Sequence, residues 1–422
     1  MIKRIAIVGK GSAGALSSLA VERAVRNSKF SHKNLKLEIE WHFDSSIPTQ
    51  TVGEGTNLVV PNLLTSMGFN YDDLYKLDGN FKTGISKRNW GDRDYKHLFA
   101  PPLVSYHLNA VKLQDYAFGL LKEQSHVKIF DNHVHSNQID ADVVIDCSGR
   151  PESYDDFEIS SYIPVNSVYV TQCFWDYPKF YNSITDAMPY GWVFGIPLQN
   201  RCAIGYLYNN EINTLDEIKE DVKNVFRDYN LTPSEKTNAF SFKNYYRKNN
   251  FVDNIAYNGN ASTFLEPLEA TTLSQICITA TETMDSFLGD NNTLRLKDLN
   301  ARFKRRVKST EVMIMCHYLA GSRFKTKFWD YAEERAQHCI KEHLLSNKNF
   351  NMVIDFINET QSLEKSKEIY TKDNFISHHP NLQRYLDFLE PKYNELGSWN
   401  LGSWYSNVKN LNILDKINTM RE

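Results

Sequence analysis

Residues 4–20 read RIAIVGKGSAGALSSLA, and this stretch decides the fold. Ile5–Val8 is an apolar, largely β-branched run suited to a buried parallel strand. It leads directly into Gly9, Gly11 and Gly14, a G-x-G-x-x-G that opens a helix predicted over Ala15–Val25. With 19 glycines in 422 residues, chance supplies that triplet about 0.04 times per chain, so the loop is a built feature. Gly9 permits the tight turn, Gly11 lets a pyrophosphate approach the backbone, and Gly14 lets helix and strand pack closely. Ser12 and Ala13 enter the helix, whose unpaired N–H groups and dipole favour an anion. The loop predicts a bound dinucleotide.

Working outward, Leu35–Phe43 alternates as a second strand, and Asp44 at its end is the candidate acceptor for a ribose hydroxyl. Asp142–Asp146 reads as a further strand, followed by Cys147-Ser148-Gly149. Between 165 and 208 the pattern is strand-rich and aromatic with Gly and Pro punctuation, which predicts an antiparallel sheet. From Leu273 onward it turns helical, most clearly over Leu299–Tyr318, before Pro380 and Pro391 break a polar, Asn-rich tail. The expected class is α/β with mixed α+β character: a three-layer ββα Rossmann-like dinucleotide domain with an inserted antiparallel sheet and a helical C-terminal part. In residues, this places the first unit at 1–295, with the inserted sheet at about 165–255, and the helical part at 296–422. Only one glycine loop occurs, so either the cofactor is a single dinucleotide or its electrons come from elsewhere.

Composition narrows the rest. Lys and Arg total 48 against 51 Asp and Glu, a net charge of −3, which argues against nucleic acid as a partner. No window approaches the roughly 18 apolar residues of a membrane span. Met1 is followed at once by a strand pattern rather than a cleavable leader, so a cytoplasmic location is expected. The six cysteines show no C-x-x-C pair and no zinc spacing, and no metal is expected. His133 and His135 lie two apart on an expected strand without a third ligand, and His378-His379 reads as a solvated turn. The run Arg302-Phe303-Lys304-Arg305-Arg306 reads as a charged helix face.

Further segments in series resemble the flavin-dependent tryptophan halogenases. Val52-Gly53-Glu54-Gly55-Thr56 is similar to their flavin strap, and Phe81-Lys82-Thr83-Gly84 with Asn89-Trp90 to the segment of their catalytic lysine. Gly191-Trp192-Val193-Phe194-Gly195-Ile196-Pro197 resembles W-x-W-x-I-P, and Phe264-Leu265-Glu266-Pro267-Leu268-Glu269-Ala270-Thr271 the stretch with the catalytic glutamate and halide site. Asp146-Cys147-Ser148-Gly149 and His317-Tyr318 with Arg323 and Phe328-Trp329 also fit, so the resemblance runs from about residue 2 to 330.

The resemblance implies FAD, used as FADH2, with O2 and chloride, bromide or iodide as co-substrates. A separate flavin reductase would supply FADH2. The product would be a halogenated electron-rich aromatic small molecule, an indole or phenol. Lys82 and Glu269 would be catalytic, Lys82 as protonated donor or as haloamine and Glu269 as proton acceptor. A free lysine titrates near 10.4, so a neutral amine near pH 7.5 needs a shift of about 3 units, roughly 4 kcal/mol. Glu269 at close range pushes the other way, which favours the donor. Val52, Gly53, Asn260, Leu273 and Trp192 would contact the flavin alongside the glycine loop and Asp44. Trp192 would also keep substrate off it. Thr271 and Thr272 would bind halide through backbone N–H groups, and Glu266 would be structural.

The chain departs from the family at Phe194 (second Trp of the motif), Ala270 (usually Ser) and Thr272 (usually a smaller residue), and it is shorter. These differences predict a more open pocket, a broader substrate range and a loosened halide preference. A homo-oligomer is compatible with all of this. Two alternatives share the glycine loop: a flavin monooxygenase that hydroxylates an aromatic substrate, and a non-catalytic flavin-binding redox sensor. Neither would require Lys82 together with Glu269.

Overall fold

A computed structural model describes residues 2–31, 36–48, 54–57, 59–99, 105–289, 294–365 and 407–421. Val52 and Gly53, His378-His379, Pro380 and Pro391 lie outside the described residues. The opening run forms strand Ile2–Val8 and its glycines lead into helix Ser12–Ser31. That strand sits inside a six-stranded sheet, flanked by Lys36–Phe43 on one side and Val143–Asp146 on the other, both parallel to it. Strand Val127–Asp131 extends one edge, and Ile255–Tyr257 with Phe251–Val252 the other. Buried on both faces, the central strands carry the near-continuous apolar pattern expected of a parallel sheet. Helices Ser12–Ser31, Ala110–Leu121 and Thr272–Leu288 pack together, and one core joins Ile5, Ile7, Leu16, Leu19, Trp41, Leu113, Val143 and Ile276.

The large antiparallel sheet has seven strands, in the order Pro233–Ser241, Ser167–Phe174, Arg201–Tyr208, Gly191–Pro197, Ser183–Met188, Gly84–Arg88 and Tyr95–Leu98. Its membership differs from a sheet confined to 165–255. Gly84–Arg88 pairs in parallel with Ser183–Met188 and brings Tyr95–Leu98 with it, while 251–257 belongs to the parallel sheet. The outer face of this sheet is covered by helix Leu215–Asp228, begun by a Thr214/Glu217 capping box and anchored by Ile218, Val222 and Val225.

Helices Leu296–Ala320 and Lys327–Ser346 pack on each other and, with Lys348–Lys365 and Leu414–Arg421, close the far side around Val312–Leu319. The basic run on the first of these is not a single solvated face. Phe303 and Arg306 turn inward, and Arg306 pairs with Glu282 at 2.6 Å and donates to Gln275. His133 and His135 fall beyond the end of their strand, with His133 3.6 Å from Asp44. Among the described residues no group of His, Cys, Asp or Glu could hold a metal, and no helix is long and apolar enough to cross a membrane.

Candidate active site

The three loop glycines differ in what surrounds them. Gly9 has φ +104°, and a Cβ there would lie 2.2 Å from the carbonyl oxygen of Cys147. A Cβ on Gly14 would sit 2.0 Å from the carbonyl oxygen of Gly9. Around Gly11, by contrast, nothing lies within 4 Å of that position. Two glycines are thus needed by the protein itself, and the middle one faces open space at a helix start, where the first N–H groups have no intrahelical acceptor. The second strand abuts this loop, since the Gly9 N–H donates to the His42 carbonyl at 2.8 Å and the Trp41 indole donates to the Gly9 carbonyl at 2.9 Å. Asp44 therefore ends that strand beside the loop, its carboxylate accepting from the Ser46 N–H at 2.9 Å.

Glu54 ties the loop to the next segment, accepting a 2.9 Å hydrogen bond from the Ser12 hydroxyl. Burial pushes its carboxyl up to about 6. Glu54 and Gly55 pair with strand Ser105–Leu108, which also holds Asn80–Lys82. This small sheet delivers Lys82 into a cavity of about 260 Å³. Glu54, Asn260, Glu269, Thr272 and Leu273 line the cavity, together with the aromatic residues Trp192, Phe194, Phe240, Phe242 and Phe264.

Lys82 is 1% exposed and donates to the Thr56 carbonyl at 2.9 Å. Burial lowers its ammonium to about 8, against Glu269, which raises it, and with Lys87, which lowers it further. The site therefore supplies most of the shift that a reactive amine needs while leaving the ammonium dominant below pH 8. A side chain on Gly55 would stand 3.8 Å from Lys82 Nζ and 3.6 Å from the Ala270 methyl. The lysine and the turn bearing Glu269 thus flank Gly55.

That turn is unusual. Glu269 (φ 68°) and Ala270 (φ 54°) are consecutive non-glycine residues in the left-handed region, a conformation that stores of order 1–3 kcal/mol per residue. The Glu269 carboxylate is buried against Lys87 and lies 3.2 Å from His317 Nε2. Thr271 precedes helix Thr272–Leu288, so the N–H groups of Thr271, Thr272 and Leu273 stand at the turn without intrahelical acceptors. A second cavity of about 20 Å³, with room for one small particle, lies against Thr271, Thr272, Gln275 and Thr310.

Trp192 is 1% exposed, and its indole donates to Glu266 Oε2 at 2.8 Å. The Tyr318 hydroxyl donates to the same oxygen at 2.8 Å. Glu266 is therefore the anchor of Trp192, a partnership that the sequence leaves unspecified. Beside it, Phe194 pairs across the sheet with Gly205, and a Cβ on Gly205 would fall 2.1 Å from the Phe194 ring.

Burial pushes the Glu266 carboxyl up to about 8 despite its two donors. A carboxyl raised from its unfolded value binds extra protons in the folded state, so stability falls as pH rises from about 4.5 to about 8. Glu266→Gln keeps the shape without the titration. Its melting temperature is expected to match wild type near pH 5 and to exceed it increasingly towards pH 8, by a few degrees. Parallel melting curves across this range would refute the assignment.

A parallel dinucleotide-type sheet and an antiparallel sheet thus lie beside one cavity that holds a buried lysine and a buried carboxylate. The sequence profile of the tryptophan halogenases matches residues 4–136 and 119–380. The chain belongs to the tryptophan halogenase family, whose members are flavin-dependent enzymes.

Tryptophan 7-halogenase RebH of Lentzea aerocolonigenes is 27% identical over 207 residues, 45% of this chain and 38% of RebH, so the match spans well under half of that relative. The tryptophan halogenase structure from Shewanella frigidimarina superposes with a TM-score of 0.70 over 100% of this chain and 98% of that one, at 18% identity. BrvH, a flavin-dependent halogenase from Brevundimonas sp. BAL3, gives 0.69 over 99% and 97%, at 17% identity. At such identities the likeness is one of fold, and it extends over the whole length of these two chains.

Proposed function

We propose that the protein is an FAD-dependent halogenase that uses FADH2, O2 and halide to halogenate electron-rich aromatic small molecules. The observation that carries this reading is the shared cavity: Lys82 and Glu269 open into the same space as Trp192 and the strap behind the glycine loop. The open approach to Gly11 and the unpaired N–H groups of the following helix suit a pyrophosphate. Asp44 would hold the ribose. Val52, Gly53, Asn260, Leu273 and Trp192 would lie along the flavin. When bound, reduced FAD would supply two of the electrons that reduce O2, the halide giving the other two as it becomes hypohalous acid and the second oxygen leaving as water.

The chain's own groups do the rest. Thr271 and Thr272 present backbone N–H groups that suit a halide. Lys82, as an ammonium, donates a hydrogen bond to the oxygen of hypohalous acid and draws charge from the halogen as the aromatic carbon attacks. The new bond is carbon–halogen, the broken one oxygen–halogen. The leaving hydroxide takes the Lys82 proton and becomes water, the ring proton passes to Glu269, and return of one proton from Glu269 to Lys82 resets the pair, so the net products are the haloarene and water. Trp192, locked by Glu266, keeps the substrate apart from the flavin, which disfavours direct hydroxylation. With a single glycine loop, FADH2 would come from a separate reductase.

RebH is named for attack on tryptophan. Here Lys82 is the one cationic side chain among the described residues lining the cavity, and the mechanism already engages it. No second cation meets an amino-acid carboxylate there, so neutral indoles and phenols suit this wall better. The experiment is product mass spectrometry with FAD, NADH, a flavin reductase, O2, and each halide in turn, on a panel of indoles and phenols that includes tryptophan. A halide-dependent mass gain on neutral rings is the expected outcome. A gain of one oxygen regardless of halide would establish the monooxygenase instead, and turnover of tryptophan alone would refute the substrate class.

A further inference from the structure

Against Glu269 lies a second buried lysine that the proposed chemistry leaves unused. Lys87 is fully buried, on strand Gly84–Arg88 two residues beyond Ile85, which faces the cavity. Its ammonium contacts Glu269 Oε1 and lies 2.9 Å from His317 Nε2.

The partners fix the protons. His317 Nδ1 lies 3.0 Å from the Met313 carbonyl, which can only accept, so Nδ1 carries the hydrogen. Burial holds the imidazole neutral, its pKa lowered from the ordinary value. Nε2 is then an acceptor, as is Glu269 Oε1, 3.2 Å away. Two acceptors at that distance need a donor between them, and Lys87 provides it. Trp90 packs edge-on against the His317 ring at 5.5 Å, holding the helix side of this arrangement.

We propose that Lys87, seated on His317, is a positioning residue: a buried counter-ion that keeps Glu269 ionised and pins the left-handed turn on which it stands. The inference rests on the reading of Glu269 as proton acceptor. A base inside an apolar cavity has to be charged before it can accept a proton, and burial alone would neutralise it. The other titratable groups facing Glu269 are Lys82, Tyr95 and His97. Burial raises the Tyr95 hydroxyl and lowers the His97 imidazole, so both are neutral. Lys82 faces the reacting atoms, and its ammonium is committed to the oxidant. Burial lowers the Lys87 ammonium and Glu269 raises it, while Glu269 is held well below the usual carboxylate range with Lys87 the largest favourable cause; the direct contact between the two favours the charged pair. An ion pair of this kind becomes costly when one member alone is removed.

The test uses the intact enzyme with carbon-13-labelled glutamate carboxyls, the Glu269 resonance being the one lost in Glu269→Gln. In wild type that carboxyl stays ionised across the folded range. In Lys87→Met its titration moves up by about 1–3 pH units. The acid limb of halogenation moves by the same amount, with activity falling about tenfold per unit below it. Lys87→Arg keeps both near wild type, and flavin binding is unchanged in all. A Lys87→Met enzyme with wild-type titration and acid limb, or with lower kcat and an unmoved limb, overturns the proposal. If Lys87→Met does not fold, the Lys87→Met/Glu269→Gln pair recovers the melting temperature, and failure to recover it also overturns the proposal. Full halogenation by Glu269→Gln would refute the proton-acceptor reading on its own, while the carboxyl titration would still decide the role of Lys87.

Discussion

Lys82→Ala binds FAD, consumes NADH through an added reductase and releases peroxide, yet yields no halogenated product: a fall in rate of 100-fold or more is expected. Loss of a positioned proton donor costs about 10²–10⁴-fold, and no other described cation lines the cavity to replace it. The loss does not come from unfolding. The folded state pays to keep this ammonium charged, since burial lowers it to about 8 from 10.5. Stability therefore rises with pH through that window, and below pH 8 removing the charge relieves the fold. Lys82→Met, which also fills the space, is expected to melt at or above wild type at pH 7. Product mass spectrometry beside a peroxide assay and a melting curve checks this, and retained halogenation by either variant would refute the role of Lys82.

The second large effect separates the glycines by function. Gly14→Ala forces a methyl to 2.0 Å from a backbone oxygen, which only a shift of strand against helix can relieve. Several kcal/mol of stability are at stake, enough to unfold a marginal domain. Gly11→Val places its side chain in open space, so the flavin-free protein is expected to melt near wild type. Its FAD affinity is expected to fall by tenfold or more, because the branched side chain occupies the approach to the backbone. Calorimetric melts of the flavin-free variants and FAD titration by fluorescence give the two readouts. Equal FAD affinity in Gly11→Val and wild type would remove the loop from the cofactor site.

How far the sequence could be read depended on how local each signal is. The glycine loop and its flanking strand and helix are contiguous, and their spacing is sufficient to place the dinucleotide domain. The antiparallel sheet was legible as a strand-rich segment, but the parallel pairing of Gly84–Arg88 with Ser183–Met188 joins residues about a hundred positions apart. No local pattern specifies such a pairing, so the outer two strands were missed. Lys82 and Glu269 stood out through resemblance, since each alone reads as an ordinary surface charge. Lys87 was missed for the same reason, a lysine in a charged stretch beside Arg88. Its signal is the alternation with Ile85, which turns it inward once the strand is known to be buried. Glu266 was legible only as structural. What it holds follows from Trp192 arriving from a strand and Tyr318 from a helix far along the chain.

The pairing of Phe194 with Gly205 has a consequence for how such an enzyme diversifies. Phe194 of the aromatic wall rests there on a residue with no side chain, so the place of that ring depends on two neighbouring positions on adjacent strands. Neither position belongs to the glycine loop, the strap or the Glu269 turn. Exchanges at 194 and 205 can therefore resize the chamber while the reactive groups stay in place. Substrate range is free to drift in a lineage that keeps one chemistry, because selection meets the two in separate parts of the fold.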